Sequence, residues 1–267
     1  MALIHERALV SPSARLGEGV VVGPDAIVGP EAEIGEGCEI RARAVIDGRV
    51  TIGPRTRIGY GAVVGAEPQD LAYRGAASST RIGADCVIRE YATIHRGTQE
   101  GTATEIGSKC YLMAGAHVAH NCRLADEVIL VNNVLLGGYV EVGFKAFVGG
   151  AVVVHQFTRL GAYAMVRGQT RLGMDVPPYC MATHTNAVSG INRVGLRRAG
   201  FDEVRRRRIF RAVELLCRSG LNRSQALERL AGEPDFQHPD VEALAAFARS
   251  TRRGLCAWRD AAAESED

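Results

Sequence analysis

The sequence predicts a mainly β protein: a left-handed parallel β-helix of hexapeptide repeats followed by a C-terminal α-helical domain. Three observations predict it. Every sixth residue from Val10 to Leu172 is Leu, Ile or Val at 25 of 28 positions, and only Asp70, Ala76 and Glu100 break the frame. Many of these residues are followed by glycine, as at Gly17, Gly35, Gly53, Gly107 and Gly149. Near the C-terminus the spacing changes, and Ile209, Phe210, Val213, Leu216 and Cys217 fall on one helical face. A helix has a period near 3.6 and an ordinary strand a period of 2. A six-residue period sustained this long makes each hexapeptide one short side of a coil.

Composition limits the function classes. The 267 residues are 46% hydrophobic with net charge +2, enough for a substantial core. No apolar run reaches the length of about 18 residues that reads as a membrane span. Met1 to Arg7 lacks the basic region and apolar core of a signal peptide, so a cytoplasmic location is expected. Seven scattered cysteines without a CxxC pair read as reduced packing residues rather than a disulfide framework or zinc site.

Taken in order, Met1 to Leu9 reads as a lead-in. From Val10 the aliphatic position points into a narrow prism whose coils stack at strand spacing, about 4.8 Å. The repeat does not itself set the hand of the coil; chains with this repeat turn left, against the usual crossover rule. Small or polar residues such as Asp25, Asn132 and Asn133 suit corners with positive φ. Two polar, glycine-rich stretches, 66–79 and 96–104, are expected to leave the prism as loops. Asp175-Val-Pro-Pro178 cannot continue a ladder, so the β-helix is expected to end there. A connecting stretch to Gly195 follows. A helix is expected with Asp202 as its N-cap and Gly220 as its stop, a second from Asn222 with Gln225 as capping partner, and a third from Pro239 to Ser250. The expected division is 1–190 for the β-helix and 191–267 for the helical domain.

Residues three hexapeptides apart stack one coil above the other. His120, Gly138 and Gln156 each lie two positions after an aliphatic of the frame, so they form one column, with His117 and His155 on the same side. Histidine titrates near cellular pH and suits a general base, and a glycine N–H can approach a reacting group. Outward histidines on a β-helix are ordinarily solvated or packed between subunits, but three gathered on one side of consecutive coils favour a site. His5 and His238 read as structural, and the sequence alone does not assign His95 or His184. No GxxxxGK[ST] phosphate loop is present. Eight arginines in 195–219 face only Asp202, Glu203 and Glu214. A solvated helix face is the ordinary reading, and a diphosphate or an acidic protein partner also fits. Few aromatics are interleaved, which disfavours nucleic acid.

Several segments carry a resemblance to a known family. They are Glu67-Pro-Gln-Asp-Leu71 with Tyr73, Ile94-His-Arg-Gly-Thr98, Ala116-His-Val-Ala-His120, Val154-His-Gln-Phe157, Asp175-Val-Pro-Pro-Tyr179, Gly195-Leu-Arg-Arg198 with Gly200-Phe201, and Phe247-Ala-Arg-Ser-Thr251. In these the chain resembles the UDP-N-acetylglucosamine O-acyltransferases, acyl-ACP-dependent enzymes that begin lipid A biosynthesis. The resemblance implies a homotrimer acting on acyl carrier protein and UDP-N-acetylglucosamine, with no cofactor and no metal. It implies His120 as general base for the sugar 3-hydroxyl and the Gly138 N–H as oxyanion donor. It also implies substrate positioning by His117 and His155, sugar contacts from Gln69 and Asp70, nucleotide contacts from Asn192 and Arg198, and acyl contact from Gln156. Gly168 falls near the family's chain-length determinant.

The sequence departs from the family pattern at four places. Asn121 stands where an Asp usually orients the base, Tyr139 where a further His is usual, Ala72 for a Lys, and Val194 for a Glu. These positions raise the alternative of a paralogue with a different UDP-amino-sugar acceptor, or a weakened or non-catalytic trimeric binding protein. A carbonic-anhydrase-like metal site of similar architecture needs a histidine pair spaced more widely than His117 and His120.

Overall fold

The computed structural model describes residues 1–260. Among them, parallel strands of mostly two to four residues stack into three sheets of 12, 9 and 8 strands, the faces of a triangular prism. The chain visits the faces in rotation. Leu3–Ile4 lies on the first face, Leu9–Val10 on the second and Arg15–Leu16 on the third, and Val21–Val22 returns to the first. The ladder therefore begins at Leu3, paired with Val21, so the expected lead-in is already half a coil. Ile4 lies in the same six-residue frame as Val10, one step earlier.

Each strand puts one outward residue between two inward ones. The second inward residue is the aliphatic of the frame; Ile46, Ile58, Ile88 and Leu130 are all fully buried. The first, two positions earlier, is small: Ala44, Ala62, Cys86, Cys110 and Cys122 fill it at 1% exposure or less. A narrow triangular interior admits one large side chain per side only if its neighbour is small. This slot, which periodicity alone does not isolate, houses four of the seven cysteines, and all seven are free thiols. The glycine after the aliphatic has a steric cause. A Cβ on Gly53 would stand 2.6 Å from the Ala84 nitrogen, and one on Gly83 2.6 Å from the Ser108 nitrogen, both in the coil above.

The corners take the left-handed conformation, at Asp25 and Asn133 as expected, not at Asn132, and also at Arg55, Lys109, Tyr139, Phe157 and Tyr163. A non-glycine residue there costs roughly 1–2 kcal/mol. The coil geometry imposes it at every corner of this kind, whatever the residue.

The loops occupy slightly less chain than expected. Strands reach Ala66 and resume at Ser79, and the second excursion runs from Arg96 to Thr102, because Ala103 and Thr104 already pair in the ladder with Ser79 and Thr80. Buried Thr104 fills the small inward slot. Arg96 ties both loops to the prism. Its half-buried guanidinium donates to Gly65 O at 2.9 Å and to the Tyr73 hydroxyl at 3.2 Å, and it pairs with Asp47 and Glu67.

The β-helix does not end at Asp175–Pro178. Val176 still bridges Leu160, and Met181–Ala182 pairs in parallel with Met165–Val166. The prolines sit at a corner, where the ladder needs donors only from the flanking residues. Val176 N donates to Arg159 O and Tyr179 N to Ala162 O. The chain then turns back, Ala187–Ile191 running antiparallel to Cys180–His184, and closes the end of the prism. Asp175 plugs this end fully buried. Its carboxylate accepts from Arg159 N at 2.8 Å and from the Thr251 hydroxyl at 2.7 Å.

Among the described residues four α-helices follow: α1 (Arg193–Arg198), α2 (Glu203–Cys217), α3 (Arg223–Gly232) and α4 (Pro239–Arg249). Asp202 caps α2, and Asn222 with Gln225 forms the capping box of α3, as their sequence signatures indicate. Helix α1 begins in the stretch read as a connection and runs past its expected end at Gly195; it is short and starts from Asn192, whose side chain accepts from Gly195 N. The segment beyond α4 is not helical throughout, since Ala257–Trp258 pairs in parallel with Ala187–Val188. The expected helical domain extends to residue 267, and its last seven residues lie outside the described ones.

Gly65 marks the exit of the first loop at φ 85°, and a Cβ there would lie 2.2 Å from Asp47 O and 2.3 Å from Val50 Cγ2. Gly65→Ala is expected to cost more than about 2 kcal/mol in denaturant unfolding, from left-handed strain plus the clash. A loss below about 0.5 kcal/mol, the usual range for surface changes, would show that the loop can leave the prism by another route.

Candidate active site

The coil register builds the site from single positions. His117 stands outward on the strand His117–Val118 of the second face, and His120 follows at the corner towards the third face. Val118 pairs with Leu136 and Leu136 with Val154, so Gly138 lies directly over His120 and Gln156 over Gly138. The contact is close. A Cβ on Gly138 would lie 2.4 Å from His120 Cε1 and 2.6 Å from Nε2, so the imidazole occupies space that only glycine leaves open. Among the described residues nothing accepts from the Gly138 N–H.

His120 Nδ1 lies 3.1 Å from Asn121 Oδ1. That oxygen also accepts from Thr98 N at 3.1 Å and from the Thr98 hydroxyl at 3.0 Å. The backbone N–H can only donate, and with the hydroxyl donor beside it this turns the buried amide with its oxygen to this point. The oxygen must then take a proton from His120, leaving the lone pair on Nε2, the nitrogen beside Gly138. Tyr139 completes the enclosure. Its N–H donates to His120 O at 3.0 Å, its ring meets the imidazole edge-on at 5.4 Å, and it stacks on Phe157 at 4.8 Å.

Two more histidines stand behind His120. His117 Nδ1 shares a proton with the Thr93 hydroxyl at 2.7 Å, and its ring meets that of His95 at 5.0 Å, perpendicular. His95, 6% exposed, has no partner at Nδ1 among the described residues. Burial first, and then the charges of His117, His120 and Arg96, push its imidazole down to about 4. Burial and then His120 likewise hold His117 below the ordinary histidine value.

The remaining expected residues are distributed. Gln69 is exposed on the first loop, and Asp70 folds its carboxylate onto Ala72 N of its own turn. His155 lies exposed one coil beyond Gly138, its ring on the Gln156 carbonyl at 3.0 Å rather than on His120. Asn192 has both amide ends engaged, Oδ1 capping α1 and Nδ2 donating to Tyr163 O at 3.0 Å. Arg198 is exposed and has no acidic partner among the described residues. Other arginines of the run are committed within the fold. Arg205 forms a bidentate pair with buried Asp240, and Arg207, Arg211 and Arg218 pair with Glu203, Asp235 and Glu214. His5 and His238 accept from nearby backbone N–H groups, which fits the structural reading. Ala72 and Val194 are exposed, on the first loop and on α1.

These residues lie on three different edges of the prism. His120, Gly138 and Gln156 occupy the edge between the second and third faces. Tyr163, which holds Asn192 and α1, is at the edge between the third and first. Gly168 lies at the edge between the first and second, where Asn132, Asn133, Arg167 and Gln169 line an open cavity of about 560 Å³. Sequence reasoning missed Thr93 as the partner of His117 and Thr98 as the partner of Asn121. One regular coil back from either histidine lands in the second loop, which lengthens that coil by a further hexapeptide; the true ladder neighbour of His117 is Thr93.

Comparison with known proteins agrees with the fold and with the signature segments. A family profile described as UDP-N-acetylglucosamine O-acyltransferase, domain 2, matches residues 175–256, and one for bacterial transferase hexapeptides matches 31–66. The acyl-[acyl-carrier-protein]–UDP-N-acetylglucosamine O-acyltransferase of Alkalilimnicola ehrlichii is 48% identical over 96% of this chain and 99% of its own. The protein of that name in Gloeothece citriformis is 47% identical over 67% of this chain and 66% of its own. The solved UDP-N-acetylglucosamine acyltransferase of Campylobacter jejuni superposes with a TM-score of 0.90 at 36% identity, covering 96% of this chain and 100% of its own.

The buried neutral His95 sets a pH dependence. Unfolded, it takes up a proton near its ordinary value of about 6.5, but in the fold only near 4. Protons therefore favour unfolding between these values, and this contribution to stability falls as pH drops from about 6.5 towards 4. The unfolding midpoint should fall between pH 7 and pH 5, and His95→Gln should flatten that dependence. A slope identical in the variant would assign it to other groups.

Proposed function

The chain belongs to the UDP-N-acetylglucosamine O-acyltransferase family, and from that premise we propose that it transfers a 3-hydroxyacyl or related acyl chain from acyl carrier protein to the 3-hydroxyl of UDP-N-acetylglucosamine, the first step of lipid A biosynthesis. The observation that carries the site assignment is the His120 ring pressed against Gly138 with its Nε2 lone pair free. Nε2 takes the proton of the sugar 3-hydroxyl as the oxygen bonds to the thioester carbonyl carbon. The Gly138 N–H then faces the developing oxyanion, where a pre-positioned donor is worth most. Collapse of the tetrahedral intermediate breaks the carbon–sulfur bond, and the imidazolium returns its proton to the departing thiolate. No covalent enzyme intermediate and no cofactor are needed.

His117, His155, Gln69 and Asp70 serve as substrate contacts in this reading, Gln156 borders the acyl chain, and Arg198 offers an unpaired guanidinium to the diphosphate. Asn192 acts through its cap, placing α1, because both ends of its amide are taken. Asn121 keeps an acceptor on His120, so the loss of the usual carboxylate does not remove the base.

A homotrimer is part of the proposal. The base, the nucleotide residues and Gly168 sit on different edges, and neighbouring copies in a closed rotational ring bring different edges together. The outward residues support this arrangement. The second face exposes Leu9, Ile27, Leu135 and Val153, and the first carries Leu3, Val21, Ile129, Phe147 and Met165 with one charged pair, Glu39 and Arg57, whereas the third alternates Arg81, Glu105, Arg123, Glu141 and Arg159. Two faces suited to burial and one suited to water match a ring in which each prism meets two neighbours. A cytoplasmic location is included, which the seven free thiols favour. No helix of the described residues is long and apolar enough to cross a membrane.

Light scattering should give about three times the chain mass of 28.6 kDa; a stable monomer would leave the site without its second and third edges. The purified chain should acylate UDP-N-acetylglucosamine from acyl-ACP, and His120→Ala should lower kcat by about 100-fold or more with the trimer intact. Unchanged turnover in His120→Ala would move the role to another residue, and no transfer with any acyl-ACP would count against the activity itself.

A further inference from the structure

On the reading that His120 is the base, we propose that Thr98 and Tyr139 are positioning residues whose hydroxyls lock the Asn121 amide, so that an amide can do here what a carboxylate does elsewhere. A carboxylate presents an acceptor to a histidine whichever way it turns. An amide does not. Turned over, Asn121 would present its NH2 to Nδ1, Nδ1 would have to be the unprotonated nitrogen, and the ring proton would move to Nε2. Nε2 would then have no lone pair to take the substrate proton. In the serine-protease triad, an unrelated site, an Asp→Asn change lowers kcat by about 10⁴ through this wrong tautomer.

The structure closes that route. Two donors from one residue, Thr98 N–H and Thr98 O–H, converge on Asn121 Oδ1 at 3.1 and 3.0 Å. An NH2 group in that place would face both. The single hydroxyl hydrogen of Thr98 is committed to Asn121, so in the 3.1 Å contact between Thr98 Oγ1 and the Tyr139 hydroxyl the tyrosine donates. The chain runs Tyr139 O–H to Thr98 O–H to Asn121 Oδ1, which also receives the proton of His120 Nδ1. It carries orientation, and no proton moves along it. Asn121 is 9% exposed, and its N–H is anchored to the Thr104 hydroxyl at 2.8 Å, so the residue is held at both ends. Tyr139 is anchored independently by its N–H on His120 O and its ring on Phe157. Two of the departures from the family pattern, Asn121 and Tyr139, are thus joined through one threonine.

The test combines Thr98→Val and Tyr139→Phe with Asn121→Asp. In the native background each should lower kcat by roughly tenfold, the value of one well-placed hydrogen bond, with KM little changed. In the Asn121→Asp background, where the acceptor has no wrong end, the same changes should cost less than about twofold. Equal losses in the two backgrounds would show a merely structural role and overturn the proposal. The second readout is independent of turnover. In the full-length protein labelled with 15N-histidine, with His120 assigned from the His120→Ala spectrum, the unmodified imidazole should carry its proton on Nδ1. The Nε2–H form should grow in Thr98→Val, and in Tyr139→Phe should the valine variant fail to fold. An Nε2–H tautomer in the unmodified protein, or a population that neither change moves, would also overturn it. Absence of acyl transfer would refute the proposed function, while the imidazole spectra would still decide this inference.

Discussion

Everything in this molecule depends on the parallel ladder that joins each short strand to the strand one coil later. Backbone donors of one coil are satisfied by carbonyls of the next, as in Val21 N to Cys38 O and Ile129 N to Ala146 O. A parallel ladder fixes register, so inward side chains must fall on inward side chains for the whole length of the prism. The small inward slot, the glycine after each aliphatic and the left-handed corners are all consequences of that one constraint. The loops obey it too. Ile52 pairs with Ile82 and Ile82 with Ile106, so each excursion lengthens its coil by whole hexapeptides and returns the chain in phase.

The same register builds the chemistry. Faces of the prism are committed to the ladder, whereas corners present side chains and unpaired N–H groups, so the candidate column forms along an edge. Stacking at a coil's spacing puts a residue of one turn in contact with its counterpart in the next, which is why His120 meets Gly138 without any helix or long loop to carry it. Behind the column, burial and mutual proximity keep His95 and His117 neutral at cellular pH. Neither of them therefore adds a positive charge that would oppose protonation of His120. The second loop contributes Thr98 from outside the prism, and Arg96 pins that loop to Asp47, Glu67 and Tyr73 so that Thr98 arrives at a fixed place. In the proposed homotrimer, division of the site among three edges makes assembly a condition of function rather than an addition to it.

Much of this was legible in the sequence because the period is set by local geometry repeated many times. The frame from Val10 to Leu172, the column of His120, Gly138 and Gln156, and the caps at Asp202 and Asn222 all follow from counting residues. Counting failed where the chain met something it could not see. Pro177 and Pro178 looked like a stop, but corner positions spare proline the donor it lacks, and the ladder runs on to Met181. Helix α1 was hidden because six residues give too short a periodic signal, and its position rests on the tertiary bond from Asn192 to Tyr163 O. Thr93 and Thr98 could not be matched to His117 and Asn121 because the length of a loop does not reveal how much of it leaves the coil. The sequence by itself determined which residues face inward and which stack in one column, since that depends only on spacing. Only the tertiary structure decided which nitrogen of His120 is free and which atom of Asn121 faces it, because hydrogen-bond direction is set by donors brought from other coils and not by neighbours along the chain.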